Sequence, residues 1–285
     1  MEKLMIVDGS NLLFQMFYGM PSRIVNEQGK AIQGTLGFVG ALLKIIRMIQ
    51  PTHAVVVFDG EYENERKEMD PDYKANRPDY SQIAEEDTPF SQLPDIYAAL
   101  DFMGIRYGET TDCEADDWIS GYANAYGGQM DVVVVSQDSD FFQLINNRVT
   151  VLRYRGKQSI LCDSEYIREK LGIEPTQYAA YKSLTGDAAD NIRGVDKVGP
   201  KTAAALLRQF GDLDTLLEQA DSIRKTSVRC SVLECMARIR KNFALIKLVG
   251  CRQLPFAMEQ LTYSYDGITT TKVLEATGLR SQNKE

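Results

Sequence analysis

Histidine is almost absent: His53 is the only one among 285 residues. That argues against an imidazole-based metal site and against catalysis by paired imidazoles. Cysteine is sparse as well. Cys113, Cys162, Cys230, Cys235 and Cys251 are odd in number and contain no CxxC pair. They fit reduced thiols better than a disulfide framework or a zinc knuckle. No apolar run approaches the roughly 20 residues that a membrane-spanning helix needs. The opening MEKLMIVDGSNLLF is broken at once by Asp8 and lacks a small-residue cleavage site, so it does not read as a signal peptide. These absences predict a soluble cytoplasmic protein with no membrane partner.

What is present is ordinary globular material. Apolar residues make up 44% and charged residues 25%, enough for a sizeable core and too much for wholesale disorder. The net charge of −8 at first opposes a nucleic-acid partner. Its distribution points the other way. Nine of the 40 acids fall in five short motifs, and setting them aside leaves 31 acidic against 32 basic residues. Between Ser222 and Lys247 there are seven basic residues (Arg224, Lys225, Arg229, Arg238, Arg240, Lys241 and Lys247) against the single acid Glu234. The pattern is an acidic pocket on a protein with basic stretches.

Lys3 to Val7, Ala54 to Phe58 and Asp131 to Val135 are short apolar runs that read as buried strands. Two of them end in Asp-Gly, which reads as a turn. Thr35 to Ile49, Phe90 to Met103 and Glu114 to Tyr126 have helical spacing, and Pro51 stops the first. Residues 61–88 are polar, with prolines at 71 and 78, and read as a loop or a helical excursion. From about residue 163 the pattern turns helical. The fold class expected is α/β: a mainly parallel sheet flanked by helices, followed by a helical C-terminal part. The division expected is a catalytic part over 1–170 and a helical part over 171–285.

The acids lie where such a sheet puts its sites. Asp8, Asp59, Asp138 and Asp140 follow the ends of three predicted strands, where doubly wound sheets open their crevices. Glu114, Asp116 and Asp117 cluster at a helix start. Asp187 and Asp190 are spaced i, i+3, so a helical turn would align them. Singly, each has a structural explanation as a turn, a cap or a dipole partner. Together, their repulsion demands neutralisation. An all-oxygen donor set without histidine selects a hard divalent cation, Mg²⁺ or Mn²⁺. Two such ions suit phosphoryl displacement.

Asp72-Tyr73-Lys74-Ala75-Asn76-Arg77-Pro78 supplies cations. Lys74 and Arg77 are expected to hold a phosphate and offset developing charge, and Tyr73 to stack on a base. Gly194, Gly199 and Pro200 suggest a tight hairpin into a helix over 201–210. The amides at that helix start, with Lys201 and Thr202, would cradle a phosphate without reading bases.

These motifs, in this order, resemble the 5′-nuclease family of polymerase-linked 5′–3′ exonuclease domains, stand-alone 5′-exonucleases and flap endonucleases. The resemblance covers approximately residues 3–255. It runs through Val-Asp8-Gly, Phe-Asp59-Gly, Glu114-Ala-Asp116-Asp117, Asp138-Ser-Asp140, Gly-Asp187-Ala-Ala-Asp190 and Tyr73-Lys74-Ala-Asn-Arg77. It implies a helical arch over about 61–88 and a helix–three-turn–helix element over about 184–210. That element would grip duplex DNA through Gly194, Lys197, Gly199, Lys201 and Thr202, and hold a potassium ion on backbone carbonyls. The implied reaction is two-metal cleavage of branched or nicked DNA at a 5′ flap or 5′ end, giving 5′-phosphate and 3′-hydroxyl products. RNA:DNA hybrids are a further implied partner, and the implied setting is a nucleoid-associated monomer. Asp117 is implied either as a metal ligand or as a support behind the ligands. Two positions depart from the family pattern: Gln15 stands where an arginine is usual, and Lys197 where a glycine is usual. Two rival readings stay open, a non-catalytic DNA-binding scaffold and a ribonuclease with a related acidic sheet edge.

Overall fold

Strand β1 (Lys3–Asp8) is apolar on both faces, and this decides the architecture. Leu4 and Ile6 pack into one core and Met5 and Val7 into another, as the two-residue period of a strand requires. The computed structural model describes residues 2–60, 65–251 and 253–281. In chain order β1 is followed by α1 (Gly9–Gly19), α2 (Gln33–Ile49), β2 (His53–Phe58), α3 (Glu65–Met69), α4 (Leu93–Phe102), β3 (Arg106–Glu109) and α5 (Ala115–Tyr126). Then come β4 (Asp131–Val135), β5 (Val149–Arg153), β6 (Ile160–Cys162), α6 (Ser164–Leu171) and α7 (Tyr178–Thr185). The rest comprises β7 (Gly186–Asp187), β8 (Ile192–Arg193), α8 (Pro200–Phe210), α9 (Leu213–Glu218), α10 (Thr226–Glu234), α11 (Met236–Ile246) and α12 (Thr270–Ala276).

The main sheet has the order β3-β2-β1-β4-β5-β6. Its first five strands are parallel, and β6 closes one edge antiparallel to β5. Helices α1, α2 and α4 cover the Met5 face. Helix α5, with α7 and α8, covers the Leu4 face. The chain builds outward from β1 to β3, then returns to β4 on the other side. The carboxyl ends of β1 and β4 therefore flank the switch point where such sheets open a crevice. Among the described residues no helix is long and apolar enough to cross a membrane.

Two local expectations are corrected, a third is only partly covered by the described residues, and the sheet holds strands beyond those expected. Asp8-Gly9 is not a free turn: Asp8 caps α1 directly, its Oδ1 accepting from the Asn11 amide at 2.9 Å. Glycine is required at position 9, because a Cβ there would lie 2.6 Å from the Phe58 ring. Of the excursion over 61–88, residues 61–64 lie outside the described residues. The remainder holds only the five-residue α3 and short 3₁₀ turns. Asp187 and Asp190 do not share a helical turn; β7 and β8 pair as a small antiparallel ladder, and the two acids sit at its turn. Finally, the sheet gains β3 at one edge and β5 and β6 beyond β4 toward the other, strands that are not apparent from the sequence.

Candidate metal centre

Asp8 stands at the end of β1, buried, with Ser136 donating to its Oδ2 at 2.7 Å. Burial, with repulsion from Asp59 and Asp138, raises its carboxyl to about 7 against the opposing hydrogen bonds from Asn11 and Ser136. Asp59 follows β2 and accepts from the Ala115 amide at 2.9 Å, tying the β2 end to the start of α5. Glu114 caps α5 in a reciprocal box with Asp117. Asp116, in the first turn of α5, is pushed well above the ordinary carboxylate range. Burial is the main cause; Lys74 opposes it, and Asp138, Glu114 and Asp59 reinforce it.

After β4, Asp138 Oδ1 accepts from the Asp140 amide at 2.8 Å. Asp140 is buried, and its Oδ1 has no hydrogen-bond partner. Burial, then Asp138, Asp187 and Asp190, raise it well above the usual range. Asp190 is raised by burial, with Lys74 and Arg77 opposing and Asp138 and Asp187 adding to the shift. Asp138 thus repels two sets of acids, Asp8 and Asp116 on one hand and Asp140 and Asp190 on the other.

The cations arrive from the 72–77 segment, which is stitched to the β7–β8 turn. The Lys74 amide donates to the Asp190 carbonyl at 3.0 Å. The side-chain amide of Asn76 donates to the Ala188 carbonyl at 2.9 Å, and that of Asn191 to the Asp72 carbonyl at 2.8 Å. The result sets Lys74 Nζ 2.7 Å from Glu114 Oε1 and Arg77 3.2 Å from Asp190 Oδ1. Burial alone would pull the Lys74 ammonium down; Asp116, Glu114 and Asp190 outweigh it and hold it above the usual value.

Sequence reasoning missed two further cations. Arg66 on α3 reaches Glu114 Oε2 at 2.6 Å and Asp117 Oδ1 at 2.9 Å. Lys182, inside the apolar helix α7, reaches Asp187 Oδ2 at 2.6 Å. Arg66 lies unmarked in a charged stretch, and a lone lysine in an apolar helix gives no signal. Asp117 is committed to Arg66 and to the Glu114 amide, which suits support of the cap better than direct ligation.

Tyr73 is corrected. Its ring is 3% exposed, packed with Ala179, Ile192, Leu245 and Ile246, and its hydroxyl donates to Glu114 Oε2 at 3.2 Å. No ring face is open to a base. At the other element, Gly194 packs against the backbone of Thr185 and Gly186, where a Cβ would fall 2.4 Å from the Thr185 carbonyl. Lys197, exposed, has φ +68°, and Gly199 caps α8 without a side chain. Lys201 is exposed and Thr202 half-buried at the start of α8.

Among the described residues no three Asp, Glu, His or Cys side chains converge closely enough to form a ready cage for an ion. The physical reason is visible: Glu114, Asp187 and Asp190 are turned onto Lys74, Arg66, Lys182 and Arg77. The residues nonetheless fit divalent cations. All donors are carboxylate oxygens, Asp140 Oδ1 is buried without a partner, and Asp8, Asp116 and Asp140 carry the mark of uncompensated repulsion.

Comparison with known proteins follows the same lines. Residues 3–172 match the family model described as 5′-3′ exonuclease, N-terminal resolvase-like domain. Residues 173–267 match that of the 5′-3′ exonuclease C-terminal SAM fold. DNA polymerase I of Rhizobium leguminosarum is 35% identical over 87% of this chain and 24% of its own length. The thermostable DNA polymerase I of Thermus aquaticus is 32% identical over 86% and 28%. The chain therefore spans about a quarter of the length of these relatives. Among solved structures, the bacteriophage T5 flap endonuclease in a complex with DNA and metal ions aligns with TM-score 0.71 and 22% identity, over 97% of this chain and 100% of that one. The catalytic core of Rad2 in complex with DNA substrate aligns with TM-score 0.61 and 16% identity, over 97% and 87%. Both likenesses are of fold.

Proposed function

The chain belongs to the 5′–3′ exonuclease family, and from that premise we propose that it is a divalent-metal-dependent nuclease that cuts DNA at a 5′ flap or 5′ end. One observation carries the proposal. Asp8, Asp59, Glu114, Asp116, Asp138, Asp140, Asp187 and Asp190 stand at one end of the sheet, mutually repelling, with Lys74 and Arg77 held among them.

Asp8, Asp59, Glu114 and Asp116 would hold one ion and Asp140, Asp187 and Asp190 a second, with Asp138 between the two sets. When bound, two Mg²⁺ or Mn²⁺ ions supply a more acidic water and charge neutralisation at the attacking and leaving oxygens. Lys74 and Arg77 then exchange carboxylate partners for the scissile phosphate and offset its developing charge. Arg66 keeps Glu114 and Asp117 oriented. Water attacks phosphorus in line, the bond to the 3′ oxygen breaks, and 5′-phosphate and 3′-hydroxyl ends result.

Residues 171–285 would grip the duplex. The start of α8 offers amides that no side chain caps, flanked by Lys201 and Thr202, which suits a backbone phosphate. Exposed Lys197 adds charge beside them, and the carbonyls of the 194–199 turn are the place for a potassium ion. We infer a monomer working on nicked or branched DNA, with RNA:DNA hybrids as an alternative strand pair, in the cytoplasm at the nucleoid.

The test is cleavage of a 5′-labelled flap duplex with Mg²⁺, with EDTA, and with an Asp140→Ala variant. Release of short 5′ fragments by the unaltered chain in Mg²⁺ alone is the expected result. Binding without cleavage in either Mg²⁺ or Mn²⁺ would overturn the nuclease reading in favour of a scaffold. Preference for an RNA 5′ strand over matched DNA would redirect the substrate assignment.

A further inference from the structure

Strand β5 runs parallel to β4, with Val135 opposite Leu152. Its carboxyl end therefore opens beside the loop that carries Asp138. Gln137, the residue before that acid, is engaged at every polar position. Its amide donates to Asn11 Oδ1 at 3.0 Å and its carbonyl accepts from Arg153 at 3.2 Å. Its side-chain Nε2 donates to the Tyr154 carbonyl at 2.7 Å, and its Oε1 accepts from Arg155 Nε at 3.2 Å. Gln15, from α1, donates to the same Tyr154 carbonyl at 2.8 Å. Two glutamines thus lock the β5 end to the acid-bearing loop.

Arg155 leaves this knot from a closed turn. Its amide donates to Ser159 Oγ at 2.9 Å, and that hydroxyl donates on to the Gly156 carbonyl at 2.7 Å. The side chain is exposed. Its Nε is fixed by Gln137, while among the described residues neither terminal nitrogen has a hydrogen-bond or carboxylate partner. This contrasts with Lys74, Arg66, Arg77 and Lys182, each of which is paired with a carboxylate. An anchored guanidinium with its fork open matches the geometry of a phosphate, which accepts two parallel N–H bonds.

We propose that Arg155 is a substrate-binding residue that takes a backbone phosphate of the cleaved strand, next to the scissile one. The inference rests on the nuclease reading above. Lys74 and Arg77 would serve the reacting phosphate, and Arg155 its neighbour, so that the strand is held at two points across the acids. Gln137 and Gln15 act as positioning residues for this contact.

The test separates binding from cleavage. Flap-duplex affinity is measured by fluorescence anisotropy in Ca²⁺ across a KCl series, with gels confirming intact DNA. Loss of one phosphate contact should lower the slope of log affinity against log salt by about 0.9, and Arg155→Ala should weaken binding about tenfold. Arg155→Lys should keep the slope and recover only part of the affinity, because an ammonium lacks the fork. Methylphosphonates placed singly around the cut should weaken the unaltered chain at one position where Arg155→Ala is indifferent. Equal affinity and slope for Arg155→Ala and the unaltered chain would overturn the assignment, as would a methylphosphonate series that never distinguishes them. In both cases the nuclease reading stands if the unaltered chain still cuts in Mg²⁺. An unaltered chain that binds no flap duplex would remove both.

Discussion

Lys74 Nζ lies 2.7 Å from Glu114 Oε1, and it gets there from a backbone at φ +56°. A left-handed residue that is neither glycine nor asparagine is uncommon and costs energy. Here the hydrogen bond from its amide to the Asp190 carbonyl holds the turn. The lysine is therefore fixed at both backbone and ammonium, on acids from two distant stretches of chain. Such a group is prepared to act on a phosphate without reorganising.

The consequence is a split between binding and chemistry. Lys74→Met should reduce single-turnover cleavage about 100- to 1000-fold, the scale for losing one preorganised charge donor. Flap affinity should change only a few-fold, since other contacts carry the duplex. Rapid-quench kinetics with matched binding isotherms measure both. A variant that lost affinity and rate in equal proportion would show Lys74 to be a docking residue only.

Asp8 gives a prediction in pH. Its carboxyl is raised from 3.8 to about 7, burial being the main cause and Asp59 the next. A raised carboxyl binds its proton more tightly in the folded state, so the metal-free protein should lose stability as pH rises from about 4 to about 7, and level off above. Each pH step of one across that window removes roughly 1.4 kcal/mol, a few kcal/mol in all. Thermal melts in EDTA at pH 5 and pH 8 check it. Asp8→Asn should make that dependence shallower, leaving the part due to Asp116, Asp140 and Asp190, and melt higher than the unaltered chain at pH 8, while abolishing cleavage. Mg²⁺ should stabilise the unaltered chain at pH 8 and the Asn variant much less.

How much of this was legible follows from where each signal resides. Strands β1, β2 and β4 are apolar on both faces, so short unbroken runs announced them, and the acids that end them were found with them. Strand β3, Arg-Tyr-Gly-Glu at the sheet edge, buries no residue fully and leaves no such trace. The i, i+3 spacing of Asp187 and Asp190 suggested a helical turn, but the antiparallel pairing of Gly186 with Arg193 made a hairpin instead. Partners were the least legible. Arg66 meets Glu114 across 48 residues and Arg77 meets Asp190 across 113, distances over which local pattern carries nothing.

Lys197 tests the local backbone through its effect on stability. At φ +68° and exposed, it occupies a conformation that glycine adopts freely and L side chains do not. Glycine also loses more freedom on folding, so the two effects partly cancel. Lys197→Gly should stabilise the fold by about 0.5–1 kcal/mol, whereas Lys197→Val, branched at Cβ, should destabilise it by about 1 kcal/mol or more. Urea melts read both. The glycine variant should also bind duplex more weakly in low salt, having lost one cation near the start of α8.

Tyr73 separates packing from recognition. An aromatic in a polar, charged stretch suggests a stacking platform, yet its ring fills a pocket made by α7, β8 and α11, and its hydroxyl serves Glu114. Tyr73→Phe should retain duplex affinity and cost about 1.5–3 kcal/mol, the range for a hydrogen bond to a charged group. Tyr73→Ala should cost about 3–5 kcal/mol through the cavity it leaves. Because Ile192 is on the hairpin and Leu245 on α11, that cavity lies under the segment that presents Lys74. Cleavage should therefore fall in the alanine variant even where the fold survives, at low temperature, and the Lys74-to-Glu114 contact should loosen. The contrast is readable in one experiment: a stacking residue would lose affinity for the flap duplex with single-turnover rate at saturation preserved, and a packing residue would lose that rate.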